Sequence, residues 1–155
     1  MEPPPRRSTG ETGAPRRRVT YRGVVYPAQC DAMGHMNTPF YVAAFDQAMW
    51  HLVAEFGFRA AWIQERRQGW ADVKYVIEFR SELGVGDLFQ VESAVERVGK
   101  TSLVTRHALL ETGTSKVAAE VEMTSVYFNL EKRVSLPIPE LIRAAAEAML
   151  AEAAT

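Results

Sequence analysis

The stretch Asp31 to Tyr41, DAMGHMNTPFY, holds the side chains best suited to chemistry in this chain of 155 residues. Asp31 supplies a carboxylate, which as an ion takes a proton from water or attacks a carbonyl carbon directly. His35 follows with an imidazole, a ring that can orient water or serve as a general acid or base. Gly34 leaves out a side chain where a substrate must approach the backbone closely. Thr38-Pro39 reads as an N-cap with proline at the first helical position. The loop therefore runs into a helix N-terminus, where free backbone N–H groups and the positive end of the dipole face outward. Such donors hold a carbonyl oxygen as it gains negative charge. The same residues also have plainer uses. Asp31 can close an Asx turn, and His35 and Asn37 can serve only to hold the loop. Tyr41 and Phe45 fall on an apolar helical stripe, where core packing is the default.

Other candidate chemistry is weaker. Cys30 is the only cysteine, so no intrachain disulfide forms, and a reducing compartment such as the cytoplasm is expected. Cys30 and His35 do not have a usual zinc spacing, and neither a metal nor a cofactor is expected. No G-x-S-x-G elbow occurs for a serine nucleophile. Gly99-Lys100-Thr101-Ser102 matches the end of a phosphate loop, but Ala94 stands where that loop needs its first glycine. The segment reads as a turn between strands, with Lys100 left as a candidate partner for a substrate phosphate. His51 and His107 read as structural.

Behind these residues lies one domain's worth of elements. Val19–Tyr26 is β-branched and aromatic and predicts a first strand. From Tyr41 the apolar residues Ala44, Phe45, Ala48, Met49, Leu52, Val53 and Phe56 recur at helical spacing, with Gln47, His51 and Glu55 on the other side. Gly57 is a natural stop. Residues 59–68 predict a short helical turn closed by Gly69. The period then changes to two. Asp72–Arg80, Leu88–Val98, Ser102–Glu111 and Val117–Leu130 predict long strands joined by short turns, an antiparallel meander. The Ala- and Glu-rich stretch Ile138–Ala153 predicts a terminal helix docked by Leu141, Ala144, Ala145 and Leu150. The order predicts an α+β fold in which an antiparallel sheet of about five strands packs on one long helix.

Residues 1–18 are rich in Pro, Gly, Arg and Ser and predict a disordered tail ahead of a domain over 19–155. The tail carries five Arg against two Glu, a net of +3, which leaves −4 on the rest of a chain whose net charge is −1. An acidic body argues against a nucleic-acid-binding domain. No apolar run approaches the roughly 18 residues of a membrane span.

The pattern D-x-x-G-H-x-N-x-x-x-Y-x-x-x-F, read at Asp31, Gly34, His35, Asn37, Tyr41 and Phe45, resembles the 4-hydroxybenzoyl-CoA thioesterase family of hotdog proteins. The resemblance extends to the order of elements over roughly residues 19–130. It implies a hotdog fold, a sheet wrapped around the long helix, and a homodimer or homotetramer in which sheets join edge to edge. It also implies an acyl-CoA or acyl-carrier thioester as substrate and a site at the subunit interface. Asp31 would be nucleophile or general base, and amides at the helix start would polarise the carbonyl. His35 and Asn37 would orient water or the acyl group, Tyr41 would line the acyl pocket, and Lys100 would meet a CoA phosphate. Two alternatives remain: an acyl-thioester hydratase or dehydratase, whose usual His-acid segments are missing, and a non-catalytic acyl-CoA-binding protein.

Overall fold

The computed structural model describes residues 17–152. The tail reading therefore lies outside the described residues except at its end, where Arg18 already belongs to the first strand. The strands are β1 (Arg18–Val24), β2 (Gln68–Phe79), β3 (Leu88–Val98), β4 (Ser102–Glu111), β5 (Val117–Asn129) and the two-residue β6 (Val134–Ser135). The helices are α1 (Thr38–Glu55), α2 (Ala61–Glu65) and α3 (Glu140–Glu152), with a 3-10 turn over Pro27–Gln29.

The sheet is antiparallel in the order β1-β3-β4-β5-β2, with β6 on β5. Alternation along the strands sends Phe89, Val91, Val95, Leu103, Leu109, Val121, Met123 and Tyr127 into the core. They meet the face of α1 made by Tyr41, Ala44, Phe45, Ala48, Met49, Leu52 and Val53, all buried. Each large apolar side chain taken fully out of water contributes about 1.5–3 kcal/mol, so this face is what holds the helix inside the curled sheet. The polar residues Gln47, His51 and Glu55 stay exposed, as the spacing predicts.

One boundary and one helix face differ from the sequence reading. β2 starts at Gln68, so Gly69 does not close α2 but sits inside the strand opposite Phe128. The residue that turns the chain out of α2 is Arg67, at φ 53°. The docking stripe of α3 is centred on Ile142, Ala146 and Met149, with Ala145 and Leu150 packed beside it as expected, while Leu141 and Ala144 are exposed. Leu141 is 63% exposed, yet a Cβ on Gly57 would come within 2.8 Å of it, so this side chain covers the end of α1.

The core also contains a polar thread. Thr20 Oγ1 lies 2.6 Å from Ser93 Oγ, which lies 2.6 Å from His107 Nδ1. His107 Nε2 lies 2.9 Å from Thr105 Oγ1, whose hydroxyl donates to Met49 Sδ at 3.8 Å. Thr20 Oγ1 also donates to the Val91 carbonyl at 3.4 Å, which leaves the Ser93 hydroxyl to donate to Thr20 or to Nδ1. Burial keeps the ring neutral, lowering the His107 pKa to about 3. The thread joins β1, β3, β4 and α1, and His107 is structural, as expected.

Candidate active site

The Asp31 loop is built from local bonds. Asp31 N–H donates to the His35 carbonyl and Gly34 N–H to the Asp31 carbonyl, both at 3.0 Å. Gly34 sits at φ +87°, a conformation that L side chains avoid, and a Cβ there would meet nothing within 4 Å. The glycine is thus required by the turn, and it leaves open space beside the backbone.

The two Asp31 oxygens have different duties. Oδ1 accepts the Met33 N–H at 2.9 Å, which is the Asx turn of the plainer reading. Oδ2 faces His35 Nδ1 at 3.7 Å, too far for a hydrogen bond, and that nitrogen lies 3.4 Å from the Met36 carbonyl. Oδ1 holds the loop, and Oδ2 has no hydrogen bond among the described residues. The far ring nitrogen of His35 lies 3.9 Å from Glu82 Oε1.

The helix start corrects one expectation. Asn37, not Thr38, is the N-cap, and its Oδ1 accepts the Thr38 N–H at 2.9 Å. Pro39 has no N–H, and the Phe40 N–H is bonded to the Asn37 carbonyl at 3.0 Å. The first amides of α1 are therefore not free. The Thr38 N–H is the exchangeable one, because its acceptor is a side chain that can rotate away.

The chain brings a second segment to this loop. Met36 N–H donates to the Leu83 carbonyl at 2.7 Å, which draws residues 79–83 alongside. Between the two lies an open cleft of about 280 Å³, lined by His35, Met36, Thr38, Tyr41, Phe79, Arg80, Ser81 and Glu82. Tyr41 is buried with its ring edge-on to Phe79 at 5.3 Å. Burial pushes its phenol pKa up, while a hydrogen bond from the Leu83 backbone acts the other way. A phenol held neutral in this way shapes the wall and takes no part as a base.

Asp31, Gly34, His35, Asn37 and Tyr41 thus gather in one place. Asp31 is not on the cleft wall; its Oδ2 lies 3.7 Å from Nδ1 of His35, which is on it. Lys100 is elsewhere. It occupies the β3–β4 turn, where its carbonyl accepts from Ile138 N–H and Arg143 Nη2. That turn is separated from the Asp31 end by the 11 residues of β3, about 36 Å of strand. Sequence reasoning missed Phe79, Arg80, Ser81 and Glu82. Only the pairing of Met36 with Leu83, across 47 positions, brings them in, and no local pattern announces it.

Residues 25–146 match the model of the thioesterase-like superfamily. The chain belongs to that family. Membership places it among thioester hydrolases, and its fold is the hotdog fold. A Staphylococcus aureus protein solved in complex with CoA aligns with a TM-score of 0.81 at 17% identity, covering 88% of this chain and 86% of that one. A 1,4-dihydroxy-2-naphthoyl-CoA thioesterase from Synechocystis aligns at 0.74 and 17% identity, covering 83% and 94%. A gentisyl-coenzyme A thioesterase aligns at 0.72 and 24% identity, covering 81% and 98%. No curated protein sequence matches the chain. Among the described residues no helix is long and apolar enough to cross a membrane.

Proposed function

We propose that this protein hydrolyses an acyl-CoA thioester at the cleft beside Asp31, with that carboxylate as nucleophile or general base. The observation that carries the reading is the divided Asp31 carboxylate. Oδ1 is fixed by the Met33 amide, while Oδ2 is held next to His35 at the start of α1. The thioester carbonyl oxygen would take the Thr38 N–H as the Asn37 amide swings aside, and the dipole of α1 would favour its growing charge.

As a base, Asp31 takes a proton from water while the water oxygen bonds to the carbonyl carbon. Collapse breaks the C–S bond, and the proton passes to the leaving thiolate. As a nucleophile, Oδ2 bonds to that carbon and expels the thiolate, and water then hydrolyses the resulting anhydride. Both routes consume one water and give acid and thiol. A second reading assigns the base to His35, which lines the cleft while Asp31 does not, with Asp31 orienting the ring.

CoA as carrier is supported by the CoA-bound, naphthoyl-CoA and gentisyl-CoA neighbours. Assembly into a dimer is supported by the free edge of β2, where Val73, Val76 and Phe79 are exposed. The position of Lys100 at the far end of the sheet means that it would reach only a CoA bound at another subunit's site.

The test is thiol release from a panel of aliphatic and aromatic acyl-CoAs, scored beside hydration of an enoyl-CoA. Hydrolysis of at least one panel member well above the rate in buffer is expected. Hydration without thiol release would replace this reading with the hydratase one, and binding of acyl-CoA with no turnover would replace it with a non-catalytic one.

A further inference from the structure

A second cavity, of about 160 Å³, opens between the middle of α1 and the start of β2. Asp46, Met49, Trp50 and Val53 line it from the helix, and Trp70 and Asp72 from the strand. We propose that this cavity binds a cationic ammonium group, and that acyl groups carrying one are preferred substrates.

The wall is built from two carboxylates and two indoles. Asp72 is held by hydroxyl donors, Tyr75 at 2.8 Å and Ser125 at 2.6 Å. Asp46 faces it with no hydrogen bond or ion pair among the described residues. Burial and the charge of Asp72 both raise the Asp46 pKa, so the pair repels as it stands. A site with two carboxylates that repel each other, one of them without a hydrogen bond, beside aromatic rings is matched by a monovalent cation with an apolar skin.

The other occupants fit less well. A purely apolar group would strip water from both carboxylates and return nothing. A hydroxyl would serve one carboxylate and leave the two charges facing each other. A metal ion lacks ligands, since no group of three His, Cys, Asp or Glu side chains is poised for one among the described residues. The volume is about five times the ~30 Å³ share of a water molecule, which suits a trimethylammonium group with its five heavy atoms including the adjoining carbon. Asp46 lies eight residues beyond Thr38, about 12 Å along α1 from the cleft. An acyl chain of about ten bonds spans that distance.

The binding site does not depend on the thioesterase reading, but its link to substrate choice does. The first arm measures binding of choline and of its neutral isostere 3,3-dimethylbutan-1-ol to the full-length protein, by calorimetry and tryptophan fluorescence. Saturable choline binding, at least ten-fold tighter than the isostere, is expected. Asp46→Asn and Trp50→Ala should each weaken it at least five-fold; Trp50 is 47% exposed, so its loss leaves the fold in place. Equal binding of the isostere, no saturable choline binding, or choline binding unchanged in both variants overturns the proposal. The second arm compares hydrolysis of 8-(trimethylammonio)octanoyl-CoA with that of 9,9-dimethyldecanoyl-CoA. A ten-fold advantage in kcat/KM for the cationic thioester, lost in Asp46→Asn, is expected. Equal hydrolysis of the two overturns the substrate assignment and leaves the thioesterase reading intact. Choline binding with no hydrolysis of either, or of any acyl-CoA, overturns the thioesterase reading and the substrate assignment with it, and leaves the cation site standing.

Discussion

Acidification from pH 7 to pH 4 should weaken the fold through a single buried residue, His107. Its pKa is about 3 in the folded chain against 6.5 for an ordinary histidine. The folded state holds the neutral ring, so between these values the unfolded chain binds the extra proton. The stabilisation is fully present above pH 6.5 and is lost as the pH falls toward 3. Two and a half units below the unfolded pKa, at about 1.36 kcal/mol per unit, the loss at pH 4 is about 3 kcal/mol. The cost comes from burial, since the ring's partners are the Ser93 and Thr105 hydroxyls and no carboxylate among the described residues balances a charge there. Urea unfolding at pH 7 and pH 4 measures the loss. His107→Gln supplies the control, because it keeps a donor and an acceptor but does not titrate. Its stability should fall about 3 kcal/mol less than that of wild type over the same interval. Parallel losses in the two proteins would refute the assignment of acid sensitivity to this ring.

Other consequences follow from the site and the core. Gly34→Ala forces a Cβ into φ +87°, which should cost about 1–2 kcal/mol and loosen the Asp31 turn; thermal unfolding and thiol-release rates read both effects. Asn37→Ala removes the cap of α1 and should cost about 1 kcal/mol in denaturant unfolding. Leu52→Ala opens a void under the middle of the sheet and should cost about 2–5 kcal/mol, with the thiol-release rate unchanged at a temperature where the variant stays folded.

What could be read ahead of the structure depended on the kind of signal. The buried face of α1 was legible residue by residue, because large apolar side chains at helical spacing admit one docking face. The α3 stripe was read only in part, at Ala145 and Leu150, because an alanine-rich helix offers several faces of similar periodicity. The sheet it docks on chose Ile142, Ala146 and Met149. Gly69 looked like a helix stop because glycine usually is one, yet Arg67 took the left-handed position and Gly69 went into the strand. In the site, Asp31, Gly34, His35 and Asn37 stood out because they are local. The segment from Phe79 to Glu82 was invisible because the bond that brings it in is long-range. The cap was off by one residue, and that small error matters. It turns a row of free amides into a single exchangeable donor at Thr38.

The central claim is that the free oxygen of Asp31 performs the chemistry. Asp31→Asn keeps the amide oxygen that closes the Asx turn and removes the carboxylate that faces His35. Thiol release from the best acyl-CoA, measured at saturating substrate, should fall at least about 100-fold in this variant, the scale of a lost general base. Substrate binding and thermal stability should change little. Turnover at the wild-type rate in Asp31→Asn would contradict the account.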